Sequence, residues 1–184
     1  MATILVAYGT TEGKCRDLAE RIAGRVEAAG HRAPVAPVEE SADLFPAADA
    51  LLLVGSVHVG QHKPALAAFV RENGERIRRV PSAFLSVSLS AADSATREEA
   101  VGFIDAFLAE VAWTPTMSET IGGDLRYSKY GFLKRLFIQF MAGRKGLPTD
   151  IRRDHDLTDY AALDRFVDRF LSELGGKAVG AVTG

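Results

Sequence analysis

The run ALLLVGS at residues 50–56 carries no charge and no alternation of polar with apolar residues. A strand with one wet face alternates. A strand without alternation must be covered on both faces, as parallel strands between two helix layers are. Runs at residues 3–8 and 83–89 have the same character, and 116–122 is a weaker strand. Residues 32–38 also read as a strand, which Pro34 and Pro37 assign to an edge. Between these runs the period changes to that of a helix. Leu18, Ile22 and Val26 recur at four-residue spacing within 14–29, with Ala19 and Ala23 beside them and Gly30 as the stop. Helices are likewise expected over 64–79 (Leu66, Phe69, Val70 and Ile77 inward) and 97–112 (Val101, Ile104, Phe107, Leu108 and Val111 inward). A last helix over 160–174 turns Leu163, Phe166, Val167, Phe170 and Leu171 inward.

Strands alternating with helices imply an α/β fold, a doubly wound five-stranded parallel sheet with helices on both faces. Five strands in 184 residues suit the flavodoxin-like order better than a six-stranded dinucleotide fold. The expectation is a single domain over 1–175, interrupted by an insertion at about 124–156 between strand five and the last helix. Residues 176–184 are expected to form a flexible tail.

The net charge of −2 conceals a division. Residues 126–153 hold eight basic residues and one acid, Asp150, for a net +7, which leaves −9 elsewhere. Such separation marks a face for a different partner, or else an unevenly solvated surface. Cys15 is the sole cysteine, so no intrachain disulfide forms and a reducing compartment fits. Neither a secretion leader nor a membrane-spanning run is expected.

The loop YGTTEGKC, residues 8–15, resembles a triphosphate-binding loop at first sight. Yet Gly9 and Gly13 enclose three residues where that motif needs four, and Cys15 replaces the metal-binding hydroxyl. A dinucleotide fingerprint is missing too. What remains is a threonine-rich turn whose amides, with the Thr10 and Thr11 hydroxyls, suit a single phosphate held without metal. Otherwise it is an ordinary turn that caps a helix.

VAYGTTEGKCRDLAERIA resembles the phosphate loop of flavodoxins, which binds FMN. The segments VGSVHVGQHKPALAAFV (54–70), PSAFLSVSLS (81–90), LRYSKY (125–130) and TDIRRDHDLTDYAAL (149–163) are similar to one branch. That branch is the flavodoxin-like, quinone-dependent protoporphyrinogen IX dehydrogenases of bacteria, and the likeness spans nearly the whole chain. It implies a first loop of Thr10, Thr11, Glu12, Gly13, Lys14 and Cys15 on the phosphate. Ser56, Val57, His58, Val59 and Gly60 would flank the flavin ring from one side, and Ser88, Leu89, Ser90 and Ala91 from the other. Two residues depart from the pattern: Cys15 stands where Thr is usual, and Val59 where an aromatic residue would cover the ring.

Residue chemistry adds several expectations. His58, and secondarily His62, could relay protons or simply be polar surface groups. Lys14 could neutralise phosphate or be a solvated first-turn lysine. Leu133, Leu136, Phe137, Phe140 and Met141 cover one arc of a basic amphipathic helix, so residues 130–145 suit a membrane surface. That arc could alternatively pack on the chain's own core or on a second subunit. Tyr127 and Tyr130 could stack on a tetrapyrrole or on flavin, with Arg126 and Lys129 as partners for propionates.

The resemblance thus implies FMN-dependent oxidation of protoporphyrinogen IX, with electrons passed to menaquinone or ubiquinone. The protein would be cytoplasmic and peripheral to the inner face of the cell membrane. No metal site and no nucleic-acid partner is expected, and a homo-oligomer stays open. The competing readings are an electron-carrier flavodoxin and a flavodoxin-like protein that has lost FMN.

Overall fold

The computed structural model describes residues 1–10, 13–125 and 155–180. Five strands run parallel: β1 (Ile4–Gly9), β2 (Val35–Pro37), β3 (Ala50–His58), β5 (Ser82–Ser88) and β6 (Met117–Gly122), side by side in the order β2-β1-β3-β5-β6. Helices α1 (Lys14–Ala28), α2 (Pro64–Glu72), α3 (Gly74–Ile77), α4 (Arg97–Val111) and α5 (Tyr160–Gly180) lie between and after them. This is the doubly wound order expected of the chain.

Each strand distributes its side chains to both layers. Ile4, Val6, Leu52, Val54 and Leu85 pack with Leu18, Ile22 and Val26 of α1 and with Phe166 and Phe170 of α5. Their neighbours Leu5, Ala7, Leu51, Leu53 and Phe84 pack with α2 and α4. Burying one such side chain is worth roughly 1.5–3 kcal/mol, and a one-residue slip would exchange every one of them between layers, so burial sets the register.

The sheet has six strands rather than five. The added one is β4 (Gln61–His62), antiparallel to the end of β3 through the pairs Val57–His62 and His58–Gln61. The tight turn between them is made by Val59 and Gly60, with φ of 51° and 77°. A second, two-stranded ladder joins β7 (Asp124–Leu125) to β8 (His155–Asp156) at the two ends of the expected insertion. Between those ends, residues 126–154 lie outside the described residues, and so does the expected amphipathic arc.

Three helices differ from expectation. The helix expected over 64–79 is broken at Asn73, whose side-chain amide donates to the Phe69 carbonyl at 2.9 Å and competes with the helix ladder. Val101 is 43% exposed, because the inward stripe of α4 runs through Ala100, Ile104, Phe107 and Val111 instead. Helix α5 continues past Leu174 to Gly180.

Candidate functional site

The strand order reverses between β1 and β3, and the chain opens a cavity of about 120 Å³ at the carboxyl ends there. Thr10 and Lys14 line it from the first loop, Ser56, Val57 and His58 from the second, and Ser88 and Leu89 from the third. Sequence reasoning missed three further lining residues: Val87, Gly123 and Asp124. The last two follow β6, so the rule that ligands sit at the carboxyl ends of strands was a usable signal for them.

At the first loop, the Gly13 amide donates to Thr10 Oγ1 at 3.0 Å, and Gly13 adopts a left-handed conformation that turns the chain into α1. Helix α1 has no side-chain cap, and none of the described residues offers an acceptor to the amides of Lys14 and Cys15. First-turn amides with no acceptor among the described residues, on a 15-residue helix, concentrate partial positive charge. That donor set fits a phosphate monoester. Thr11 and Glu12 lie outside the described residues, as do Arg126, Tyr127, Lys129 and Tyr130.

Lys14 is largely buried, with a side chain 9% exposed. Its ammonium lies 2.7 Å from Asp124 Oδ1 and 2.9 Å from Asp156 Oδ1, and donates to the Tyr160 hydroxyl at 3.1 Å. Burial works against this charge, but the hydrogen bonds to Asp124, Asp156 and Tyr160 outweigh it and raise the lysine pKa above its ordinary value. For Asp156, burial is outweighed by hydrogen bonds from Tyr160, Lys14 and Thr158, which hold its pKa well below the usual carboxylate range. Tyr160 is raised in turn by its hydrogen bond to Asp156.

Cys15 is fully buried in the core behind the loop. Burial pushes its thiol up to about 12 against the hydrogen bonds of Ser56 and Thr10, so it stays protonated and unreactive. His58 is exposed at the cavity mouth, one residue before the turn. Val59 is 90% exposed in a left-handed conformation that a β-branched residue adopts only under strain. Gly60 lies instead on a second groove, of about 510 Å³, shared with His62, Phe103 and Phe107. Ser90 and Ala91 are buried in a short 3-10 turn, where Ser90 Oγ donates to Glu99 at 2.6 Å.

His62 faces away from the first cavity. Its Nε2 is 3.0 Å from Ser86 Oγ, and its ring lies 5.2 Å from that of Phe84 and 4.9 Å from that of Phe107. A Cβ on Gly55 would meet its Cδ2 at 3.2 Å. Burial lowers the His62 pKa to about 4, so the imidazole is neutral near pH 7. Among the described residues no group of three or more His, Cys, Asp or Glu could hold a metal ion.

Residues 5–152 match the flavodoxin domain family. The chain belongs to that family. It is 28% identical to protoporphyrinogen IX dehydrogenase (quinone) of Escherichia coli, over 88% of this chain and 91% of that one. It is 30% identical to a protein of the same name from Leishmania major, over 90% of this chain and 73% of that one. The branch read from segments 54–70, 81–90, 125–130 and 149–163 is therefore borne out. Among solved structures, flavodoxin 1 from Bacillus cereus aligns with a TM-score of 0.52 and 14% identity, over 93% of this chain and 98% of that one. Rubredoxin oxygen:oxidoreductase from Desulfovibrio gigas aligns with a TM-score of 0.58 and 12% identity over 96% of this chain, which spans 37% of that protein's length. At such identities the structural likeness establishes the flavodoxin-like fold alone.

Proposed function

We propose that this chain is an FMN-dependent oxidoreductase that oxidises protoporphyrinogen IX to protoporphyrin IX and delivers the electrons to a quinone. The observation that carries the reading is the turn from Thr10 through Gly13 into the start of α1, beside a cavity walled by the second and third loops. Membership of the flavodoxin family and the printed name of the relatives support it.

Thr10 and the first-turn amides of α1 would hold the phosphate of FMN, since aligned peptide dipoles at a helix start favour an anion there. Residues 56–58 and 87–89 would flank its ring. When bound, FMN supplies the two-electron redox chemistry, and the protein supplies position and electrostatics. Each cycle removes two electrons and two protons from the porphyrinogen and converts one quinone to its quinol. We assign the released protons to His58, whose exposed imidazole can pass them to water.

Arg126 and Lys129 are assigned to the propionates of the substrate, and Tyr127 and Tyr130 to its rings. Residues 130–145 are assigned to the inner membrane surface, where menaquinone or ubiquinone would be met. Among the described residues no helix is long and apolar enough to cross a membrane.

The test is an anaerobic titration of the apoprotein with FMN, followed by protoporphyrinogen IX and then by menaquinone and ubiquinone analogues. The expected course is uptake of one flavin, bleaching by the porphyrinogen and return of the oxidised spectrum with quinone. A flavin that binds but is not bleached would make the chain an electron carrier. Failure to take up flavin at all would leave only the fold.

A further inference from the structure

Asp124 and Asp156 are directly opposed residues of the β7–β8 ladder, a position in which two like charges repel. Both nevertheless point at one ammonium, that of Lys14, the first residue of α1. The ladder is also tied to the sheet by its backbone. The Leu157 amide donates to the Gly123 carbonyl at 3.2 Å, and Thr158 Oγ1 donates to the Gly122 carbonyl at 3.0 Å. Contact there is so close that a Cβ on Gly122 would lie 2.2 Å from the Leu157 carbonyl oxygen. Gly123 and Asp124 in turn form one wall of the cavity.

We propose that Lys14 is a positioning residue for that cavity: its ammonium pins the β7–β8 ladder to the start of α1 and so sets the wall made by Gly123 and Asp124, instead of acting as the counter-ion of the bound phosphate. The inference rests on the flavin reading for its consequence but not for its geometry. Among the described residues this one cation already faces two carboxylates. An incoming phosphate therefore gains little from Lys14, and its affinity comes from Thr10 and the main-chain amides. Removing the ammonium strands two opposed carboxylates in a partly buried place, which is costly in a way that removing all three charges is not.

The experiment compares FMN with riboflavin, which lacks the phosphate, in fluorescence titrations of wild type, Lys14→Met, and the triple variant Lys14→Met/Asp124→Asn/Asp156→Asn. With Lys14→Met the Kd for both flavins is expected to rise by the same factor, about tenfold. The triple variant is expected to return both to within about threefold of wild type. A loss confined to FMN, with riboflavin unchanged and no recovery in the triple variant, would overturn the proposal.

Amide hydrogen exchange on the apoprotein provides a second readout, independent of flavin. Lys14→Met should speed exchange at Leu157 while the amides of β3 keep their protection. Equal protection at Leu157 in variant and wild type would also overturn the proposal. Should wild type bind neither flavin, the cofactor reading falls and the exchange result still decides the role of Lys14. Should Lys14→Met prove too unstable to study, Asp156→Asn replaces it. This variant leaves a balanced Lys14–Asp124 pair, so it should keep the protection of Leu157 and the ratio of FMN to riboflavin affinity. A gain confined to FMN would mean that Lys14 had been freed for the phosphate and would count against the proposal.

Discussion

The two faces of the sheet are joined to their helices by different chemistry. On the α1/α5 face, a charged seam runs along the outer edge of the core that holds Phe166 and Phe170. Lys14 meets Asp156 at its pocket end, Arg21 meets Asp164 at 2.8 Å further along, and Arg25 meets Asp168 beyond that. These three cations are all on α1, and the acids Asp156, Asp164 and Asp168 lie in α5 or just before it, while Lys14 also meets Asp124 of β7. On the α2/α4 face the corresponding seam is aromatic: His62, Phe84, Phe107 and Trp113, with Phe84 and Phe107 stacked at 4.9 Å. The contrast teaches that the aromatic seam anchors the β3–β4 hairpin by burial, whereas the charged seam orients the β7–β8 ladder by direction. Burial is the stronger of the two and the less specific in angle.

The largest expected effect tests the aromatic side. Phe84 is fully buried and touches His62, Phe107 and Trp113, so Phe84→Ala should lower unfolding free energy by about 3–5 kcal/mol, measured by urea denaturation. A loss below about 1 kcal/mol would mean the seam contributes little to stability.

Acid separates the faces next. The His62 pKa is lowered by burial from 6.5 to about 4 in the folded chain. The unfolded chain therefore takes up a proton that the folded chain refuses, and stability falls as pH drops from 6.5 to about 4, by about 3 kcal/mol in all. His62→Gln should flatten that part of the pH profile. The Asp156 pKa is lowered too, but by hydrogen bonds to its charged form, so its contribution is fully present above 3.8 and is lost only in stronger acid. Denaturation midpoints at pH 7, 5 and 3 would distinguish the two. An unchanged slope between pH 6.5 and 4 in His62→Gln would contradict the assignment.

The charged side is tested first through the ladder it orients. Gly122→Ala would push a methyl group into the Leu157 carbonyl, costing about 1–3 kcal/mol and displacing the wall at Gly123, readable as weaker flavin binding. The smallest effect belongs to the outer end of the seam. Arg25 and Asp168 are solvent-exposed, so Arg25→Ala should leave the denaturation midpoint unchanged within error, most clearly in high salt. A clear loss there would show that the seam works as a coupled network.

Much of the fold was legible because its signals are local. The unbroken apolarity of residues 50–56, the four-residue spacing of Leu18, Ile22 and Val26, and the stop at Gly30 each involve neighbours within a few turns. The candidate site was legible in part. Thr10, Lys14, Ser56, Val57, His58, Ser88 and Leu89 do converge on one cavity, since the carboxyl ends of the strands point to them. Gly60 did not join them because a two-residue turn swings it to the other groove, and Ser90 and Ala91 because a 3-10 turn buries them.

By itself, then, the sequence determined the layered α/β architecture, the strand at the edge and the glycine turn before α1, because period, apolarity and turn chemistry act over short stretches of chain. Tertiary structure alone decided that Lys14 would spend its charge on Asp124 and on Asp156, which is 142 residues away, and that His62 would be buried beside Ser86. Electrostatic and packing partners are set by distance in space, and spacing along the chain carries no record of that until the sheet has closed.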